Sequence, residues 1–206
     1  MVAARSPSRT RPSRRDSRLL RDVALLRSKL GPSPPTGRVL VLVCGLPGAG
    51  KSYFSQALAR RAPVVVVESD TMRETLVARP TYTAAENERL FSAVHRLINE
   101  LLRADAAVVL DATSRFARQR AEIRDLARRA GADVLTVWLT APEPLIKERL
   151  ARRASSAEWD VYQRMRDTAE PPTEPHLLVD SSKDIEPALN ALAGKVAAGH
   201  KEQQWT

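Results

Sequence analysis

A run of eight residues, 45–52, has the composition and spacing of a phosphate-binding loop. It reads GLPGAGKS and matches G-x-x-x-x-G-K-[ST] at every fixed position. Small residues let successive backbone N–H groups point at an anion, and a helix beginning near Lys51 would turn its positive end toward the same place. Lys51 would reach the β- and γ-phosphates of a nucleotide, and the Ser52 hydroxyl would coordinate Mg²⁺. The predicted nucleotide-binding residues are Gly45, Leu46, Pro47, Gly48, Ala49, Gly50, Lys51, Ser52 and Tyr53.

The residues on either side of this loop supply the context that the motif needs. An apolar run, 39–44, precedes it and a helical pattern, 53–61, follows it. The alternative is a chance glycine turn between a strand and a helix. The sequence contains no Asn-Lys-x-Asp motif that would select guanine, so ATP is the predicted nucleotide.

The stretch 68–73, ESDTMR, directly follows the second predicted strand. Ligands of parallel sheets bind outside the carboxyl ends of the strands, where polar residues converge. Asp70 could orient an acceptor hydroxyl for attack on the γ-phosphate, and Arg73 could hold an anionic group of the substrate. The alternative makes Asp70 part of a helix cap and Arg73 a solvated side chain.

A third polar group follows the apolar strand predicted at 106–110. Asp111 stands where an aspartate that supports Mg²⁺ is expected beside a phosphate loop. Aspartate is also a common turn former, which is the alternative interpretation. Thr113 and Arg115 follow at the same edge and are predicted to line the substrate side.

Two arginines, Arg149 and Arg153, are four positions apart and therefore share one face of a predicted helix. They could close over the phosphates as a lid and stabilise charge on the transferring group. The alternative is a basic, solvated helix face paired with Glu148.

The elements that must position these residues alternate between strand and helix from Arg38 onward, which predicts a parallel sheet covered on both faces. The predicted strands are 38–44, 64–68, 106–110, 132–139 and 177–180. The predicted helices are 51–61, 71–78, 83–103, 116–130, a helix capped by Thr140 that continues past Arg153, 159–169 and 185–198. We expect an α/β domain of the P-loop NTPase class, 38–206, with a five-stranded parallel sheet.

Residues 1–37 carry a charge of +7 out of the net +9. They are predicted to form a basic arm: a disordered start, 1–15, one amphipathic helix, 16–30, and a proline-rich linker, 31–37. Such a segment can contact nucleic acid weakly or meet an acidic membrane surface, and an organelle transit peptide has a similar composition. Arg outnumbers Lys 27 to 6 along the whole chain, which indicates a general bias. We expect removal of 1–37 to leave catalysis intact.

Other features of the sequence indicate where in the cell the protein is located. No run approaches the length of a membrane span, and no secretory signal is evident. Cys44 is the only cysteine, which excludes an internal disulfide and a Cys/His zinc site. A cytoplasmic location is therefore predicted.

The order of GLPGAGKS, VVVVESDTMR, VVLDATSRFARQR and LTAPEPLIKERLARR resembles the ATP-binding P-loop kinase family. That AAA-type ATP-binding group includes polynucleotide 5′-hydroxyl kinases, zeta toxins and chloramphenicol phosphotransferase-like proteins. The resemblance covers about 38–180 and implies a kinase-type sheet with a mobile helical lid. It implies that Lys51 and Ser52 serve the phosphates and Mg²⁺, that Asp70 is the general base, that Arg73 contacts the substrate anion, and that 149–153 carries the lid arginines.

These patterns together predict an ATP- and Mg²⁺-dependent kinase that moves the γ-phosphoryl group to a hydroxyl of a small molecule or a nucleic-acid 5′ end. The predicted catalytic residues are Lys51, Asp70, Arg149 and Arg153, with Ser52 and Asp111 at the metal. The alternatives are a nucleotide-dependent binding or regulatory module and an ATPase whose acceptor is water.

Overall fold

The structure, a computed structural model, describes residues 13–152 and 157–199. Within these ranges the strands are β1 (Val39–Cys44), β2 (Val64–Glu68), β3 (Ala107–Asp111), β4 (Asp133–Thr140) and β5 (Leu177–Asp180). The helices are α1 (Arg14–Arg27), α2 (Lys51–Ala59), α3 (Ser69–Leu76), α4 (Ala84–Arg103), α5 (Ala117–Arg129), α6 (Glu143–Ala151), α7 (Ala157–Asp167) and α8 (Glu186–Ala197). None of the helices in this described part combines the length and the apolar character that crossing a bilayer requires.

The strands form one parallel sheet in the order β2-β3-β1-β4-β5. The central strand β1 is buried along its whole length. Leu40, Leu42 and Cys44 face the core layer that contains α4 and α5, whereas its three valines face the layer that contains α2 and α8. Burial on both faces explains why this strand is a continuous apolar run and does not alternate with polar residues. The predicted five-stranded parallel sheet between helices is confirmed.

The spacing of Thr71 and Glu74 predicts a capping box at the start of α3, and this box does not form. The helix begins at Ser69, with Glu68 as its N-cap residue, and the Thr71 hydroxyl donates to the Glu68 carboxylate at 3.0 Å.

The spacing of Thr83 and Glu86 predicts the same arrangement at the start of α4, and one half of it forms. The Thr83 hydroxyl accepts from the backbone N–H of Glu86 at 3.3 Å, whereas the Glu86 carboxylate accepts from the backbone N–H of Thr81 at 2.7 Å.

Helix α1 lies against α3 and α4. Its Val23 and Leu26 side chains are buried in the same core layer as α4. The Asp22 carboxylate accepts two hydrogen bonds from Arg89, each 2.7 Å long. The helix of the basic arm is thus packed on the body of the protein, while residues 1–12 of the arm lie outside the described residues.

The burial of α1 predicts a large loss of stability on replacing Leu26 with Ala. Leu26 has no solvent exposure, so the change leaves a cavity, and we expect the free energy of unfolding to fall by about 2–5 kcal/mol in urea titrations. The matched control is Leu25→Ala, because Leu25 is 44% exposed and should change the free energy by no more than about 0.5 kcal/mol. Equal effects of the two variants would contradict the packing of α1. Deletion of 1–37 would remove α1 together with its buried side chains, so we expect it to destabilise the protein.

Candidate active site

The loop between β1 and α2 has glycine at positions where a side chain would collide. A Cβ at Gly45 would lie 2.5 Å from the backbone oxygen of Leu139 on β4. Gly48 has a φ of 78°, and a Cβ there would lie 2.9 Å from Cγ2 of Ile146 on α6. Both positions therefore require glycine, which lets the loop pack directly on β4 and α6.

Helix α2 directs its amino end at the space inside this loop. Gly50 is the N-cap residue, and no side chain among the described residues caps the helix. The first-turn N–H groups and the positive end of the helix therefore face the place where an anion would bind. The side chain of Lys51 folds back over the loop, and its Nζ donates to the carbonyl of Leu46 at 3.2 Å.

Two carboxylates converge on the Ser52 hydroxyl, at the point where β2 and β3 end side by side. Ser52 Oγ donates to Glu68 Oε1 at 2.6 Å. Glu68 and Asp111 are partners in the register of β2 and β3, and a hydrogen bond with Ser52 also acts on Asp111. The hydroxyl has one proton and can satisfy one carboxylate at a time.

This arrangement leaves a buried carboxylate oxygen of Asp111 without a hydrogen-bond partner among the described residues. Asp111 is 3% exposed, and that oxygen is its Oδ2 atom. Burial raises the pKa of Asp111 to about 6 against the opposing effects of Lys51 and Ser52, and the charges of Glu68 and Asp70 add to the rise. Mg²⁺ takes oxygen ligands, commonly one or two carboxylates together with phosphate oxygens. Ser52, Glu68 and Asp111 fit that requirement and are the residues that would hold it.

The raised pKa predicts that Asp111→Asn stabilises the protein in the absence of nucleotide and Mg²⁺. An ionised Asp111 opposes folding at neutral pH, and this cost disappears as the pH falls through about 6 toward the ordinary value of 3.8. We expect the free energy of unfolding to rise by about 3 kcal/mol at pH 8, with the gain shrinking toward pH 5. Urea titrations at several pH values measure it, with the exposed Glu74→Gln on α3 as control. A loss of stability at pH 8 would show that the Asp111 carboxylate is compensated within the fold.

Asp70 and Arg73 both lie on α3 but have different surroundings. Asp70 is exposed in the first turn of the helix. Arg73 is 6% exposed, and its guanidinium donates to Glu86 at 2.5 Å and to Asn87 at 2.7 Å while it stacks on the ring of Tyr82. A solvated Arg73, the alternative drawn from the sequence, is therefore wrong. Its predicted contact with a substrate anion stays a prediction, and it would have to be made beside Glu86.

Thr113 and Arg115 lie half-buried in the loop that follows β3. The Thr113 carbonyl accepts from the backbone N–H of Gly45 at 3.3 Å, so this loop touches the phosphate loop. The Arg115 guanidinium lies over the ring of Phe116, 4.2 Å from its centroid. Their position at the carboxyl edge of the sheet agrees with the predicted substrate side, and the role itself stays a prediction.

Arg149 on α6 forms hydrogen bonds with the phosphate loop and with the residue that follows β5. It donates to the carbonyl of Gly48 at 3.1 Å and to the hydroxyl and the carbonyl of Ser181 at 2.8 and 3.0 Å. These contacts border an open pocket of about 630 Å³ that Tyr53 and Lys183 also line. The second predicted lid arginine, Arg153, lies outside the described residues.

Two residues that the sequence patterns did not single out belong to this region. The sequence patterns do not single out Glu68, because it is the last residue of a predicted strand. Its position two residues before Asp70 indicates that it also lies at the carboxyl edge of the sheet. Ser181 follows β5, lies beside Gly50 of the phosphate loop and accepts a hydrogen bond from Arg149. No local pattern indicates that contact, since it joins positions 32 residues apart.

The order of elements and the loop chemistry agree with a comparison to known families. Residues 40–172 match the family model described as AAA domain. This chain belongs to the ATP-binding P-loop kinase family. The match covers the sheet from β1 to β4 and both helices that follow β4.

Several relatives are similar to this chain over most of its length. The adenylyl-sulfate kinase of Myxococcus xanthus is 29% identical over 70% of this chain and 83% of its own. The shikimate kinase of Brucella canis is 30% identical over 92% of this chain and 94% of its own. The solved structure of the Mycobacterium tuberculosis APS kinase CysC in complex with AMPPNP and APS has a TM-score of 0.57 at 23% identity, covering 77% of this chain and 96% of that one.

The P-loop kinase fold brings the main predicted residues of this chain to one edge. Lys51, Ser52 and Asp111 meet beside Glu68, and Arg149 lies on the phosphate loop. Asp70 lies at the same edge with its carboxylate exposed, whereas Arg73 forms an ion pair with Glu86 of α4. The residues assigned to the nucleotide therefore contact one another, whereas Asp70, which is assigned to the acceptor, is exposed.

Proposed function

We propose that this chain is an ATP- and Mg²⁺-dependent kinase that transfers the γ-phosphoryl group to a hydroxyl of a small-molecule acceptor. The observation that carries the proposal is the position of Asp70. Its exposed carboxylate stands two residues beyond Glu68, whose side chain bonds the Ser52 hydroxyl of the phosphate loop. A module that only binds nucleotide has no need of a further carboxylate facing outward from this edge.

The chemistry that follows is an in-line displacement at the γ-phosphorus. The loop N–H groups and Lys51 bind the phosphates, and Arg149 places a guanidinium beside them. Asp70 accepts the proton of the acceptor hydroxyl as its oxygen forms a bond to the γ-phosphorus. The bond from that phosphorus to the β–γ bridging oxygen breaks, and ADP leaves with the electron pair. Mg²⁺, when bound, neutralises the charge that develops on the phosphate oxygens.

The two substrates would occupy opposite sides of the phosphate loop. The pocket of about 630 Å³ beside Gly48 and Gly50 has the position and size for the nucleoside part of ATP. Thr113, Arg115 and Arg73 would face the acceptor. The adenylyl-sulfate and shikimate kinases to which the chain is similar are named for small-molecule acceptors, which favours that class. A nucleic-acid 5′ end is the alternative, for which the exposed arginines of α1 would offer a weak contact.

The test is transfer from γ-labelled ATP to a panel of acceptors. The panel contains sugars, shikimate, adenylyl sulfate, nucleosides, aminoglycosides and a 5′-hydroxyl oligonucleotide, each incubated with full-length protein and Mg²⁺. Label recovered on a small molecule supports the proposal, and label on the oligonucleotide alone would move the acceptor to the nucleic-acid class.

Two results would overturn the proposal. Label recovered only in free phosphate, at a rate that no acceptor changes, would indicate an ATPase. Tight ATP binding with no loss of the γ-phosphate would indicate a nucleotide-dependent regulatory module.

A further inference from the structure

Three consecutive carbonyl groups of the loop after β3 are each held by a different part of the protein. The Thr113 carbonyl accepts from Gly45 of the phosphate loop at 3.3 Å. The Ser114 carbonyl accepts from Arg120 of α5 at 3.1 Å. The Arg115 carbonyl accepts from the backbone N–H of Glu170, which follows α7, at 2.9 Å. This loop is therefore the place where the phosphate loop and the segment after α7 are joined.

Arg120 is the buried centre of this junction. Its side chain is 0% exposed, and its Nε donates to Glu174 Oε1 at 2.8 Å. Arg124 donates to the same oxygen, and the Arg120 guanidinium lies 5.6 Å from the ring centroid of Trp138. Burying a guanidinium and a carboxylate costs desolvation that an apolar pair would avoid, so the burial alone does not account for this ion pair.

Glu170 and Glu174 both tie the segment after α7 to the start of α5. The Glu170 carboxylate accepts from the N–H of Ala117, the first residue of α5, at 2.7 Å. Burial acts to raise the pKa of Glu174, but the hydrogen bonds from Arg120 and Arg124 outweigh it and lower that pKa to about 2. The Glu174 carboxylate is therefore charged at neutral pH.

The held loop is strained at its centre. Ser114 has a φ of 39°, in the left-handed region that residues with a side chain rarely occupy. Such a conformation persists only when surrounding contacts fix it. The bond from Arg120 to the Ser114 carbonyl is such a contact, and it depends on Glu174 to hold the guanidinium in place.

We propose that Arg120 and Glu174 are positioning residues, which fix the loop carrying Thr113 and Arg115 and link it to the segment after α7. The inference rests on the proposed kinase function, since it assigns this loop to acceptor binding. A displacement of the segment after α7 moves the acceptor side of the site through Glu174 and Arg120. The residues assigned to the nucleotide phosphates, Lys51, Ser52 and Arg149, lie on other elements, so we expect the pair to affect the acceptor more than the nucleotide.

The variant that tests this is Glu174→Gln, which keeps the shape of the side chain and removes its charge. We expect the acceptor KM to rise about tenfold, while kcat and the ATP dissociation constant stay within about twofold. Glu174→Asp, which keeps the charge, should recover part of the acceptor KM. The matched control is Asp167→Asn at the end of α7, whose carboxylate is 63% exposed and bonded to the neighbouring Arg166. An unchanged acceptor KM in Glu174→Gln would overturn the assignment of the pair to acceptor binding.

A second measurement needs no acceptor and separates this inference from the proposed function. Amide hydrogen exchange by NMR should accelerate at least about tenfold at Gly45, Ala117 and Glu170 in Glu174→Gln, because each of these amides belongs to the junction. Exchange in α8 should not change. Equal acceleration throughout the protein would show a structural role only, and unchanged exchange at Gly45 would refute the link to the phosphate loop. A result of either kind stands even if no kinase activity is found.

Discussion

Replacing Asp70 with Asn is expected to slow phosphoryl transfer to the acceptor by about 10²–10⁴-fold, the range typical of a lost general base. Asparagine keeps the size of the side chain but does not take a proton from the hydroxyl. The affinity for ATP should change by less than about twofold, because Asp70 is exposed on α3 and is assigned to the acceptor hydroxyl. Transfer of label and calorimetric titration with a non-hydrolysable ATP analogue measure the two quantities.

The control for Asp70→Asn is Glu74→Gln, one turn further along α3. It removes the same charge from an exposed side chain of the same helix, so a loss of activity caused by charge alone would occur in both variants. Normal transfer by Asp70→Asn would mean that another group accepts the proton. Glu68 would then be the first residue to examine, since its carboxylate ends β2 at the same edge.

Replacing Lys51 with Ala is expected to lower both ATP affinity and transfer, the latter by at least about 10²-fold. Lys51 lies over the loop with its Nζ on the carbonyl of Leu46, in position to meet the phosphate charge that grows in the transition state. Its charge also lowers the pKa of Asp111, so the variant should hold more Asp111 in the protonated form and bind Mg²⁺ less well. Titration with ATP at several Mg²⁺ concentrations measures both effects.

The control for Lys51→Ala is Lys29→Ala, which removes one positive charge from an exposed residue after α1. Its transfer rate should equal that of the unmodified protein. A Lys51→Ala variant that still transfers phosphate at the normal rate would exclude the assigned role of the phosphate loop, and with it the proposed reaction.

The parts of the site that the sequence predicts well are those whose geometry is local. Residues 45–52 form a loop whose shape depends on its own glycines, so the motif is readable without the fold. Asp111 is readable because an apolar run ends there and a strand end in a parallel sheet has a known destination. The strands follow the same logic, since burial on both faces produces continuous runs of valine and leucine.

The parts that the sequence predicts poorly depend on partners far along the chain. Arg73 resembles a solvated arginine until Glu86, 13 residues away on another helix, is seen to pair with it. Arg120 belongs to a basic helix whose sequence predicts an exposed surface. The carboxylate that pairs with it, that of Glu174, is 54 residues away along the chain. The sequence also does not predict that α1 packs on the body of the protein, because an apolar helix face does not identify its partner.

The burial of Cys44 at the end of β1 gives this protein a built-in probe of its own opening. Cys44 is the only cysteine of the chain, and burial raises the pKa of its thiol to about 12, so almost no reactive thiolate exists at neutral pH in the folded state. Alkylation of the native protein therefore reports the opening of the core layer between β1 and the helices α4 and α5, where the Cys44 side chain lies. Comparing alkylation with and without ATP would show how strongly nucleotide binding suppresses that opening.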